Sequence, residues 1–246
     1  MILDANINQK LLEIQIEWND KIVEPFVEAN PEQKNELSLP FYFGVPDKYR
    51  VADKKVMIVG QEAYNWWKYL EEADKDYLQQ WAVGYLEKQL WQTGEYRFNN
   101  SAFWMFFRQL NQSGFTPCWN NIDKLHRYVD KKTKPLTAEQ DRVFCAQYGT
   151  NNKSLLQREI ELVKPDAIIF IIGPNYQCSL EHSFGLQTTS NQLSQLRPTL
   201  TCPCPDIASI IRMDVPVIWT YHPTYMNRKG MLKDCVNTIG NLILNR

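Results

Sequence analysis

No stretch of the chain is apolar over the roughly 18 residues that a membrane span needs, so no membrane-embedded helix is expected. Excess charge is lacking too. Lys and Arg number 27 against 28 Asp and Glu, the net charge is -1 and the pI is about 6.3. No global basic field therefore draws the protein to nucleic acid, and any such binding must rest on a local patch. The start, Met1-Ile2-Leu3-Asp4-Ala5-Asn6, has neither the basic residues nor the apolar run of a secretory signal, and a cytoplasmic location is expected. No internal repeat and no low-complexity tract interrupts the sequence.

The six cysteines, Cys118, Cys145, Cys178, Cys202, Cys204 and Cys235, are scattered, which suits reduced structural thiols. Cys202-Pro203-Cys204 lacks a second Cys or His pair nearby, so it is not read as a metal site. Neither metal nor cofactor is expected. Aromatics are plentiful, with 8 Trp, 12 Tyr and 11 Phe, and supply flat surfaces for packing or for stacking on a base. With 246 residues the chain is long enough for a substantial core and is read as one α/β domain, a monomer.

Hydrophobic spacing predicts an amphipathic helix from Asn8 to Glu28, ended by Asn30-Pro31, then an extended connection from Leu37 to Asp53. A strand over Val56–Val59 follows, then a long aromatic-rich helical region from about Trp66 to Trp91 and a shorter helix from about Asn100 to Gln112. Phe115 to Ile122 is strand-like, and Lys131-Lys132-Thr133-Lys134-Pro135 reads as a basic loop. Leu155 to Val163 is a helix leading through Lys164-Pro165-Asp166 into the clearest buried strand, Ala167 to Ile172. Gln187 to Pro205 reads as a long loop or hairpin, Val217 to Tyr221 as the last strand, and Leu232 to Leu244 as a closing helix. Strands alternating with helices predict a three-layer sandwich with a short central parallel sheet, in which 1–53 is a lead-in and 54–246 the core.

Polar groups stand where these strands end: Glu62 after the first, Asn120 and Asn121 after the second, Asn175 after Gly173-Pro174, and His222 after the last. The carboxyl edge of an open α/β sheet is where ligands bind, so a carboxylate and a histidine there form a candidate acid-base pair. Each has a plainer reading. A glutamate after a strand is commonly a solvated loop residue, a lone histidine commonly structural, and paired asparagines commonly a turn. His126 and His182 show no partner and are read as structural.

Taken in order, the strand ends resemble the uracil-DNA glycosylase superfamily. Gly60-Gln61-Glu62-Ala63-Tyr64 is similar to the family's Gly-Gln-Asp-Pro-Tyr motif, and His222-Pro223-Thr224-Tyr225-Met226-Asn227 to its His-Pro-Ser-Pro-Leu-Ser motif. Asn121-Ile122-Asp123-Lys124 resembles an Asn-Val-Val-Lys segment of several branches. Order and spacing match from about Lys54 to Arg246. The chain departs from the family at Glu62 for aspartate and at Ala63 for proline. The four-cysteine iron–sulfur pattern of some branches is missing.

The resemblance implies hydrolysis of the N-glycosidic bond of uracil or a related damaged base in DNA. Glu62 would then activate water, His222 would donate to the departing base, and Gln61, Tyr64 and Asn121 would bind that base. Met226 would wedge into the duplex, and Arg228 and Lys229, with Lys124 or Lys131 as further candidates, would touch phosphate. Trp66, Trp67 or Phe103 would stand in for the family's stacking aromatic. Two alternatives stay open: a non-catalytic nucleic-acid or nucleobase binder on the same fold, favoured by the altered carboxylate, and a small-molecule hydrolase, favoured by the near-neutral pI.

Overall fold

Val56-Met57-Ile58-Val59 and Ala167 to Ile172 carry no polar side chain, the composition of strands covered on both faces. A computed structural model of the chain describes residues 3–62, 67, 73–92, 98–149, 151–186 and 192–245. Its strands are β1 (Lys55–Gly60), β2 (Thr116–Asn121), β3 (Arg127–Val129), β4 (Lys132–Lys134), β5 (Ala167–Phe170) and β6 (Val217–Trp219). Four of them form one parallel sheet in the order β2-β1-β5-β6. All four carboxyl ends therefore share one edge.

Alternation along each strand sorts the core into two layers. Met57, Val59, Ile168, Phe170, Val217 and Trp219 point to one face, and Val56, Ile58, Ala167, Ile169 and Ile218 to the other. The helices, in chain order, are α1 (Ile7–Trp18), α2 (Glu24–Ala29), α3 (Asp47–Val51), α4 (Lys75–Trp91), α5 (Ala102–Gln112), α6 (Ala138–Phe144), α7 (Leu155–Val163), α8 (Gln177–Phe184), α9 (Gln192–Gln195), α10 (Ala208–Ile211), α11 (Pro223–Arg228) and α12 (Leu232–Leu244). α1, α7 and α8 cover the first face through Leu11, Leu12, Leu156, Ile160, Leu180 and Phe184. α5 and α12 cover the second through Phe106, Phe107, Leu110, Val236 and Ile239. Each such aliphatic or aromatic side chain contributes on the order of 1.5–3 kcal/mol when fully buried. The result is a parallel sheet with helices on both sides.

Several expectations from sequence need correction. The first helix does not run straight from Asn8 to Glu28: a π turn at Asn19–Val23 separates α1 from α2, next to Pro25, which has no N–H to continue the ladder. The connection over Leu37 to Asp53 contains α3. Of the region from Trp66 to Trp91, the helix α4 starts only at Lys75, where Asp74 caps the amides of Asp76 and Tyr77; Trp66 and 68–72 lie outside the described residues. The basic loop is a hairpin, β3 pairing with β4 across Asp130 and Lys131, both at positive φ. Gln187 to Pro205 includes the short α9, with 187–191 outside the described residues. Among the described residues, no helix is long and apolar enough to cross a membrane.

Candidate functional site

β1 lies between β2 on one side and β5 on the other, so the chain reverses its direction of sheet growth at β1. Crevices that hold ligands open at such switch points, beyond the carboxyl ends. Gln61 and Glu62 leave β1 at this place. The Gln61 side chain donates from Nε2 to the Ile172 carbonyl at 2.8 Å, and its backbone carbonyl accepts from Asp123 N at 3.0 Å. The residue expected to bind a base thus ties β1 to the segments that follow β5 and β2.

Glu62 is half-buried, and burial raises its carboxyl above the ordinary value of 4.5. The larger of the contacts that oppose the shift comes from a tyrosine. The Tyr176 hydroxyl donates to Glu62 Oε2 at 2.5 Å and stabilises the carboxylate. Tyr176 ends the 3-10 turn Pro174–Tyr176, which begins beyond Gly173. Gly173 adopts φ 70 and ψ 175, a conformation reserved in practice to glycine, and its N–H bonds to Thr220 at 2.9 Å. This kink brings the end of β5 alongside that of β6.

Asn121, the last residue of β2, is 1% exposed. Its Oδ1 accepts from Trp119 Nε1 at 3.1 Å, while its Nδ2 finds no hydrogen-bond partner among the described residues. A buried amide donor without a partner costs about 1–3 kcal/mol and is the exception in folded proteins. Gly60 faces Asn121 in register, and a Cβ on Gly60 would lie 2.6 Å from Asn121 Oδ1 and 3.5 Å from Phe103. Phe103, from α5, also stacks near-parallel on the His222 ring, with centroids 6.1 Å apart and planes at 26°. Of the three candidate stacking aromatics Phe103 lies here, whereas Trp67 packs against Tyr77 and Trp81. Tyr64 and Trp66 lie outside the described residues.

His222 caps α11, its Nδ1 accepting from the Thr224 backbone N–H at 3.2 Å. A backbone amide can only donate, so Nδ1 keeps its lone pair and the neutral ring carries its proton on Nε2. Burial lowers the pKa from 6.5 to about 4, which keeps the ring neutral near pH 7. The arrangement is a neutral imidazole donor of fixed tautomer beside an aromatic ring.

Behind Glu62 sits a second polar group of residues. Asp123, Asp141 and Cys145 are buried with one donor atom each within 4.8 Å of one another. Burial and the negative charges of Asp141 and Glu62 push the Asp123 carboxyl well above its ordinary range. Asp141 Oδ2 lies 2.8 Å from His182 Nδ1, the partner that the sequence did not reveal.

The remaining expected residues fall into two groups. Arg228 and Lys229 are exposed and flank the Tyr225 ring, at 6.0 and 5.8 Å from its centroid, and Lys131 is exposed at the hairpin turn. Met226 and Lys124 are not where their expected roles need them. Met226 is 0% exposed in the core beneath α11, because it sits on the helix face turned to the sheet, and so it presents no wedge to a duplex. Lys124 is buried as well: its Nζ pairs with Glu159 Oε2 at 2.7 Å and donates to Asn120 Oδ1. Asn120 in turn donates to Glu159 Oε2 at 2.9 Å and accepts from the Asn121 N–H at 2.8 Å. Lys124 therefore sets the backbone beside Asn121 rather than forming a basic rim. Tyr176 was missed altogether, since no spacing in the sequence links it to Glu62.

Among known proteins, no family model matches the chain and no curated protein matches it.

Proposed function

We propose that the protein hydrolyses the N-glycosidic bond of uracil or a related damaged base in DNA, on a scaffold like that of the uracil-DNA glycosylases. One observation carries the reading: buried Asn121 keeps a partnerless Nδ2, and the Gly60 backbone that its amide oxygen approaches also faces the Phe103 ring that stacks on His222. A donor left unsatisfied beside an aromatic ring is the chemistry needed to hold a planar base with an exocyclic carbonyl oxygen.

In this reading the base leaves its strand and packs against Phe103. Asn121 Nδ2 donates to a carbonyl oxygen of the base. As the C1′–N bond breaks, its electron pair passes to the base, and His222 Nε2–H donates to the oxygen where that charge collects. A single donor of this kind lowers the barrier by about 3–4 kcal/mol. Water bonds to C1′ and gives its proton to Glu62, whose charge also stabilises the cationic sugar. Arg228 and Lys229 supply phosphate contacts at the rim. Base release from uracil-containing oligonucleotides, single- and double-stranded, followed by alkaline strand cleavage, tests the reading. Intact strands with both substrates argue against it.

A non-catalytic nucleobase binder would use Asn121 and Phe103 in the same way. The raised carboxyl of Glu62 and the fixed tautomer of His222 favour the enzyme, because binding alone needs neither.

A further inference from the structure

The first motif carries a glutamate where the resembling family has aspartate, which adds one methylene and one rotatable bond between backbone and carboxylate. An unrestrained longer side chain spreads its carboxylate over several positions, and a displacement near 1 Å can cost about 100-fold in rate. The structure shows what restrains it. Tyr176 Oη lies 2.5 Å from Glu62 Oε2, and the Tyr176 ring is packed against the core on the α8 side of the sheet. The turn that carries Tyr176 begins at the Gly173 kink, whose carbonyl accepts from Trp219 Nε1 at 3.0 Å.

We infer that Tyr176 is the positioning residue of Glu62: its hydroxyl fixes Oε2 of the longer side chain and leaves Oε1 to take the proton of the attacking water. This rests on the glycosylase reading of Glu62. Tyr176 and the added methylene form one unit, since an aspartate at position 62 would withdraw its carboxylate from the hydroxyl. The hydroxyl is a dependable donor, because burial and the nearby Glu62 charge push the phenol well above its ordinary range. It also offsets part of the rise that burial imposes on Glu62.

A double-mutant cycle on the full chain tests the unit, with Tyr176→Phe, Glu62→Asp and the pair. Single-turnover cleavage of a uracil-containing oligonucleotide should fall about 10- to 100-fold in Tyr176→Phe, with its binding nearly unchanged and the acid limb of its pH profile moved upward. Adding Tyr176→Phe to Glu62→Asp should change the rate by less than about threefold. A Tyr176→Phe effect that is absent, or that is equally large on the Glu62→Asp background, overturns the assignment. Carboxyl-carbon NMR titration of Glu62 needs no turnover. Tyr176→Phe should raise the Glu62 midpoint, and an unchanged midpoint also overturns the inference. A raised midpoint in a protein that releases no base would uphold the Tyr176–Glu62 unit and refute the glycosylase reading alone.

Discussion

Gly60 and Asn121 are register partners on neighbouring strands, and a Cβ on Gly60 would stand 2.6 Å from the Asn121 amide oxygen. The conflict is with a side chain held by Trp119 Nε1, so Asn121 would have to give up that bond to move away. Gly60→Ala should therefore act on the site more than on the fold. Base binding should weaken by about tenfold or more, on the scale of a lost buried hydrogen bond, while the thermal midpoint falls by only a few degrees. Isothermal titration with a uracil-containing oligonucleotide, alongside calorimetric unfolding, checks both.

His126 is 0% exposed, with both ring nitrogens unpartnered among the described residues and its pKa lowered by burial from 6.5 to about 4. The unfolded chain takes up a proton here below about pH 6.5, and the folded chain does so only near 4. Stability contributed by the neutral ring is thus complete above that window and is lost as pH falls through it, by about 3–4 kcal/mol at most. His126→Phe should flatten that part of the pH dependence in urea unfolding. An identical slope between pH 6.5 and 4 would mean that other groups carry it.

Lys124 and Glu159 are 3% and 0% exposed in their side chains, with Gln15 donating to the second carboxylate oxygen at 2.8 Å. Removing one partner leaves an uncompensated buried charge. Lys124→Met alone should cost about 3–5 kcal/mol, and Lys124→Met with Glu159→Leu should recover much of it. Chemical denaturation of the single and double variants measures the difference.

Arg228 and Lys229 are exposed around Tyr225 beyond the site. Replacing both with alanine should lower the salt dependence of DNA binding by about one to two units of slope, uniformly across sequences. Fluorescence anisotropy over a salt series gives the slope. An unchanged slope, or no measurable DNA binding by the wild type at low salt, would point to the small-molecule alternative.

The sheet was legible because strands buried on both faces leave uninterrupted apolar runs, as at Ala167 to Ile172. α7 and α12 were legible to the residue, since their apolar spacing fits one helical face. The hairpin β3–β4 was not, because its signal is only two residues at positive φ, Asp130 and Lys131, in a run dominated by lysine. The strand-end positions of Glu62, Asn121 and His222 followed from the strands themselves. Burial did not follow, and so Lys124 and Met226 were misplaced: a lysine near a turn and a methionine in a short helix look exposed until the packing is known. Tyr176 is 114 residues from Glu62, and such a pairing exists only in three dimensions.

The most direct test is single-turnover release of uracil from a labelled oligonucleotide by the wild type, Glu62→Gln and His222→Ala. The wild type should release the base. Each variant should be slower by two orders of magnitude or more, with affinity for the oligonucleotide changed far less, as is expected of groups that act mainly in the transition state. Wild-type protein that binds the oligonucleotide and leaves every base attached would contradict the account.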